Sequence, residues 1–276
     1  MIQLFHAASR RCGRVVTELY STSFASAVRL LHGDIRDAIY SIYGFVRLAD
    51  EIVDTFHEYD KARLLSAFHR DTFLAIEEGI SLNPILHGFQ LTVKQYDIDL
   101  SLIRAFFDSM ETDLYASHHD RTSYNEYIYG SAEAVGLMCL RVFCEGDVKL
   151  YVHLTPYARS LGAAFQKVNF LRDLGADHRQ LERSYFPGSL AGTLSEAGKR
   201  AIEMDILADF RHAQKGISQL PEKARMGVYV AYRYYFSLFK KIKSVPSVQI
   251  FERRVRIPNY RKWLILLGAG LRQQLK

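Results

Sequence analysis

Apolar residues recur along this chain with a helical period. Phe165, Val168, Leu171 and Leu174 form one stripe; Ile35, Ala38, Ile42, Phe45 and Val46 form another. Spacings of three and four residues put such positions on one face of an α-helix. Similar patterns predict helices over residues 5–19, 61–78, 101–117, 122–143, 150–177, 195–216 and 221–245, with a last one from Pro258 to the end. Ser21 or Ser23 is a candidate N-cap for a short helix running to Leu31. His32-Gly33-Asp34 reads as a turn, with Asp34 capping the next helix. Asn83-Pro84 is a helix start with proline at its first position. His118-His119-Asp120 reads as a connector, because neighbouring residues on a helix do not face together. Glycine and proline are scattered, with no linker or repeat, so the expected fold is all-α and one domain spans 1–276.

The polar faces of two of these helices carry the chemistry. Asn169, Asp173 and Asp177 are each four apart, so their oxygens stack along one face. Asp50 and Asp54 repeat the device on an earlier helix, with Arg47 one turn before and Tyr43 one turn before that. Paired carboxylates repel, by about 0.2–0.5 kcal/mol on an exposed helix and by more where water is excluded. One such pair is as readily a solvated acidic face. Two, each flanked by an arginine, suggest a cage for Mg²⁺, which favours oxygen ligands and usually shares its shell with substrate phosphates. Mn²⁺ suits the same donors. The inferred chemistry is that of diphosphates. Ser21 and Ser23 stand where free N–H groups and hydroxyls suit phosphate oxygens, although a plain cap explains that stretch equally simply.

The predicted helix over 122–143 carries small residues on one side: Gly130, Ala132, Ala134 and Gly136. They permit close helix packing, or leave room for a long apolar ligand; packing is the commoner reason. Tyr127 lies just before them, and a tyrosine in an apolar wall needs a hydrogen-bond partner. Tyr229, Tyr232, Tyr234 and Tyr235 crowd a later helix as core or rim residues, one of them a candidate to face a pocket.

Composition narrows the field. The chain has 276 residues and a net charge of +6. Its basic residues are mostly mixed with acids, which argues against a nucleic-acid partner. The densest patch is Lys240, Lys241, Lys243, Arg253, Arg254, Arg256, Arg261 and Lys262; a solvated surface is the simpler reading for most of these, and attraction to diphosphates or anionic headgroups is the functional one. The three cysteines, Cys12, Cys139 and Cys144, show no Cys-x-x-Cys spacing, which fits a reducing compartment. Met1–Arg14 lacks a signal-peptide pattern. The run 263–271 is too short for a membrane span, which takes about 20 residues. A cytoplasmic location is expected, peripheral at the inner membrane at most. No Walker loop, Gly-x-Gly-x-x-Gly, Gly-x-Ser-x-Gly or His-Glu-x-x-His occurs, and Gly268-Ala269-Gly270 reads as helix packing or a bend.

Four ordered stretches together resemble the phytoene and squalene synthase family. They are Tyr20–Phe24, Ala38–Asp54, Tyr127–Gly136 and Gln166–Asp177, the last followed by Tyr185-Phe186-Pro187. Within the family they look most like the bacterial phytoene synthases. Two departures stand out: Glu51 follows Asp50 where many members have a second aspartate, and Glu133-Ala134 replaces a common glycine and threonine.

The resemblance implies an isoprenoid-synthase-type helical bundle around a deep apolar cavity, with the aspartate motifs facing each other at its mouth. It implies condensation of two geranylgeranyl diphosphates to phytoene through a cyclopropylcarbinyl diphosphate. Asp50, Asp54, Asn169, Asp173 and Asp177 would hold Mg²⁺. Ser21, Ser23, Tyr43, Arg47, Gln166 and Arg172 would receive the diphosphates, and Tyr127 and Tyr235 would orient a base or shield a cation. No NADPH is expected. The rivals are squalene or dehydrosqualene synthesis from farnesyl diphosphate, and a non-catalytic prenyl-lipid-binding protein; the latter predicts degraded aspartate pairs, whereas both pairs here are complete. Lipid substrates make peripheral membrane contact an expectation.

Overall fold

The computed structural model describes residues 1–115, 119–181, 185–187, 194–252, 254–258, 262 and 264–266, with the side chains of 176–181 outside it. Among the described residues every regular element is a helix. The first half runs α1 (Ile2–Tyr20), α2 (Thr22–Val28), α3 (Gly33–Asp54), α4 (Lys61–Glu78), α5 (Pro84–Tyr96) and α6 (Leu100–Tyr115). The second runs α7 (Arg121–Ile128), a π-helical turn (Tyr129–Glu133), α8 (Ala134–Cys144), α9 (Val148–Leu181), α10 (Glu196–Ile217), α11 (Glu222–Lys243) and α12 (Ser247–Glu252).

The capping chemistry sets several starts. Ser21 caps α2, its hydroxyl accepting from Phe24 N at 3.3 Å. Asn83 caps α5 by accepting from Ile85 N and Leu86 N, with Pro84 at the first position. Asp34 does not cap α3. That helix starts two residues earlier than such a cap would give, at Gly33, with His32 at the N-cap and no side-chain cap bond. Asp34 instead lies in the first turn, where a carboxylate still favours the positive end of the helix dipole.

The core of the first half is a cluster of phenylalanines. Phe45 of α3 stacks on Phe89 of α5 with ring centroids 3.9 Å apart, and Phe68, Phe106 and Phe107 surround it. Burying such rings stabilises by about 1.5–3 kcal/mol each. This cluster holds α3 fixed along the side that does not carry Asp50. In the second half α9 is the central rod: α8, α10, α11, α12 and the π-helical turn all pack on it.

The expected continuous helix over 122–143 is interrupted by the π-helical turn. The small residues explain the location. A Cβ on Gly130 would come within 2.2 Å of Ala105 O on α6, and one on Gly162 of α9 within 2.5 Å of Ala132 O. The segment thus lies hard against backbone on two sides, and a wider turn accommodates both approaches. Packing, the commoner reason weighed for these small residues, holds for Gly130. Of the last predicted helix, only Pro258, Lys262 and 264–266 are described, the last four as helix. The segment Gly268-Ala269-Gly270 lies outside the described residues.

Candidate active site

A cavity of about 580 Å³ opens between α3 and α9. Its depth is apolar: Val135, Leu140, Phe143, Leu154, Leu161, Ile217 and Leu220 line it. Gly136, Ala158, Gly162, Ala213 and Gly216 line it too, so part of the small-residue face widens the chamber as well as packing helices. Its mouth is charged. Asp50 and Asp54 approach from α3, and Asn169 and Asp173 from α9. Leu154 and Asp173 sit on one continuous helix, roughly 28 Å apart at about 1.5 Å per residue.

On α3, Asp50 feels two opposing influences. Burial and then the neighbouring Asp54 carboxylate push its pKa up to about 7, against the pull of Arg47. Arg47 lies 4.0 Å from Asp50. Its main partner is Glu51, one turn on, with which it forms a close ion pair. Glu51 is buried and does not line the cavity, so the residue at the departure from the family pattern is the arginine's counter-ion. The guanidinium also lies over the Tyr20 ring, 4.5 Å from its centroid. Its buried Nε has no partner. Tyr43 lines the cavity, stacked on Phe24 at 4.9 Å, and burial pushes its hydroxyl up to about 12, leaving it a neutral donor at physiological pH.

On α9, Gln166 Nε2 donates to Ser131 Oγ at 3.3 Å and Gln166 Oε1 accepts from Asn169 Nδ2 at 3.3 Å. These contacts fix the Asn169 amide and leave its buried Oδ1 without a partner. An orphaned acceptor beside carboxylates is unfavourable alone and well suited to a cation. Arg172 Nε donates to Asp173 at 3.0 Å. Asp177 follows one turn further on the same helix, and its side chain lies outside the described residues.

The structure places Ser23, Tyr127 and the departure residue Glu133 as follows. Ser23 does not line the cavity; its carbonyl accepts from Ser26 Oγ, and Ser21 faces the mouth instead. Tyr127 lines the cavity, but its hydroxyl donates to Asp113 Oδ2 at 2.6 Å. Glu133 points away from the cavity and pairs with Arg159 at 2.5 Å. Tyr235 lines the chamber, stacked on Phe165 at 3.9 Å. Tyr232 and Tyr234 are buried away from it.

Sequence reasoning missed two residues at the mouth. Asp113 is buried among aromatic rings and also accepts from Tyr185 at 3.1 Å. Arg254 Nε lies 2.6 Å from Asp173 Oδ1. Its only sequence signal was membership in a basic patch.

The donor set fits a hard cation: carboxylates, an orphaned amide oxygen, and Asp173 already covered by two guanidinium groups in the role of counter-charge. Among the described residues no three His, Cys, Asp or Glu side chains converge on one point. An ion here would therefore complete its shell from Asn169, from Asp177 and from a ligand's own oxygens, the usual mode for Mg²⁺.

A family model described as squalene/phytoene synthase matches residues 17–261. The chain is 29% identical over 290 residues to phytoene synthase 3 of Zea mays, covering 96% of this chain and 66% of that one. It is 26% identical over 239 residues to presqualene diphosphate synthase of Rhodopseudomonas palustris, covering 79% and 82%. Its fold matches a crystal structure of a dehydrosqualene synthase in complex with ligand, with a TM-score of 0.83, 18% identity and 98% of each chain covered.

Proposed function

Because the chain belongs to the squalene/phytoene synthase family, whose members are head-to-head synthases of the prenyltransferase type, we propose that it joins two geranylgeranyl diphosphates to form phytoene. The observation that carries this reading is the cavity itself: a mouth of facing carboxylates and arginines leading into an apolar chamber of about 580 Å³. Only an amphiphile with an anionic head and a long apolar tail matches both parts.

Diphosphate heads sit at the mouth, with Arg47, Arg172 and Arg254 offering charge-assisted hydrogen bonds and Ser21 a hydroxyl. Mg²⁺ ions shared among Asp50, Asp54, Asn169, Asp173 and Asp177 would neutralise the leaving diphosphate. One donor ionises to an allylic cation, and the second donor's double bond attacks it. Proton loss gives a cyclopropylcarbinyl diphosphate. A second ionisation, rearrangement and proton loss give phytoene, with released diphosphate as the proton acceptor. Tyr235 and Phe165 present a stacked aromatic wall to these cations. The apolar depth excludes water that would quench them. No reductant enters this route, so NADPH is not required.

A second reading, condensation of farnesyl diphosphate to a thirty-carbon product, is favoured by the likeness to presqualene diphosphate synthase. Peripheral membrane contact belongs to the same proposal. Leu19 is 77% exposed and adjoins Tyr20 at the cavity mouth, where an apolar substrate would enter.

Product analysis tests the function. The protein is incubated with Mg²⁺ and either donor, with and without NADPH, and the hydrocarbon is identified by mass. A forty-carbon product without NADPH is expected. A thirty-carbon product moves the assignment to the farnesyl reading, and NADPH dependence then separates squalene from dehydrosqualene. No product from a folded sample with either donor would overturn both.

A further inference from the structure

The C-terminal segment reaches the acidic mouth through one close approach. Gly175 lies on α9 two residues beyond Asp173, and α12 crosses it. A Cβ on Gly175 would meet Phe251 O at 2.1 Å and Phe251 Cα at 2.8 Å. Those atoms are backbone, so no side-chain rotation relieves the clash. Ile250, buried to 1% exposure, anchors α12 in the core beside that approach. Three residues beyond Phe251 the chain delivers Arg254 to Asp173. Its Nε lies 2.6 Å from Oδ1, and its terminal nitrogen donates to Oδ2 at 3.2 Å. This is a two-point guanidinium–carboxylate contact.

We propose that Gly175 is a positioning residue that seats α12 so that Arg254 occupies Asp173, and that Arg254 and a divalent cation compete for this carboxylate. The competition follows from charge. A guanidinium bound to both carboxylate oxygens neutralises the anion and blocks its lone pairs, so a cation must displace it. An incoming diphosphate offers the arginine a more highly charged partner and draws it off. Arg172 still donates to both oxygens of Asp173, so the departure of Arg254 opens one side of the carboxylate to the ion as the substrate head arrives. Cation and diphosphate binding therefore reinforce each other through the share of Asp173 that Arg254 holds. The inference rests on the reading that the mouth takes a divalent cation, and its test separates the two.

The experiment uses the full chain, with Mn²⁺ as probe and free Mn²⁺ measured by electron paramagnetic resonance without substrate. Arg254→Gln disturbs no backbone contact and should tighten Mn²⁺ binding roughly three- to tenfold, the scale of one partly exposed ion pair. Gly175→Ala should do the same by lifting α12, and the double variant should go no further. Ile250→Ser loosens the α12 anchor while leaving the residues of α9 unchanged and serves if Gly175→Ala does not fold. Unchanged Mn²⁺ affinity in Arg254→Gln overturns the competition. A Gly175→Ala or Ile250→Ser background in which Arg254→Gln keeps its full effect overturns the positioning. A thermal double-mutant cycle between Asp173→Asn and Arg254→Gln needs no metal. Coupling lost on Gly175→Ala supports the role of Gly175, and coupling retained overturns it. If wild type and variants alike bind no Mn²⁺, the cation reading and the competition both fail, and the thermal cycle alone decides the role of Gly175.

Discussion

Tyr127 donates its hydroxyl to Asp113 at 2.6 Å across the wall of the cavity. Burial, followed by the Asp113 charge, holds that hydroxyl well above the usual tyrosine range. Tyr127 is therefore a neutral donor with its proton directed at a carboxylate. It is not placed to act as a base. Asp113 accepts a second bond from Tyr185, so one carboxylate ties α6, α7 and the segment after α9 together.

Tyr127→Phe should accordingly weaken the wall without dismantling it, because Tyr185 still donates to Asp113. Losing one hydrogen bond to a charged group costs about 1.5–3 kcal/mol. Asp113→Ala should cost more, since two buried hydroxyls lose their shared acceptor. Thermal unfolding of both variants checks the ranking; equal losses would show that Asp113 is not the shared anchor.

Asp50→Ala and Asp173→Ala should abolish turnover while leaving the helical circular dichroism intact. Both carboxylates line the mouth, outside the phenylalanine core that holds α3. Near wild-type rates at saturating Mg²⁺ in either variant would remove that residue from the ion-binding set.

The raised pKa of Asp50 makes a prediction about pH. The carboxyl titrates near 7 when folded and near 4 when unfolded. The folded state thus holds this proton more tightly. Its contribution to stability is fully present below about pH 4 and is lost as pH rises through 7. Without metal, Asp50→Asn should raise Tm relative to wild type at pH 8 and much less at pH 4.5. A gain of the same size at both pH values would show that Asp50 is not titrating in this window.

Gly162→Ala tests the crossing of α9 with the π-helical turn. The added methyl would sit 2.5 Å from Ala132 O, and forced overpacking of this kind costs about 1–3 kcal/mol. Gly33→Ala, where a Cβ meets nothing within 4 Å, is the control and should change stability little. The two are compared by urea denaturation.

The helices were legible because most are long enough for their apolar period to show. α3 and α9 carry stripes of several turns, and their acidic pairs stand out against them. α12 has only six residues, too few to display a period, and it went unforeseen. Asp113 was illegible for another reason. On α6 it stands five residues from Asp108 and two from Glu111, so it makes no three- or four-residue acidic pair, and only the tertiary arrangement shows two tyrosines meeting it. Arg254 was hidden among neighbouring basic residues that look alike until the chain path sorts them. The π-helical turn depends on contacts with Ala105 and Gly162 from distant stretches, which no local pattern encodes. Glu51 was flagged as a departure; its four-residue spacing from Arg47 permits an ion pair, but Asp50 competes for the same arginine, and only the structure shows Glu51 as the closer partner.

The length of α9 has a bearing on how this chain can change over generations. Asp173 at the charged mouth and Leu154 on the apolar lining lie on one rod, about five turns apart. Replacements separated by that distance, sharing no neighbours, add nearly independently. A change of size at Leu154 is thus separated from Asp173 by the length of the rod. On the function proposed above, a lineage built on this rod would retune how long a tail it admits by single steps at one end, each selectable in its own right, while the charged mouth at the other end stays intact.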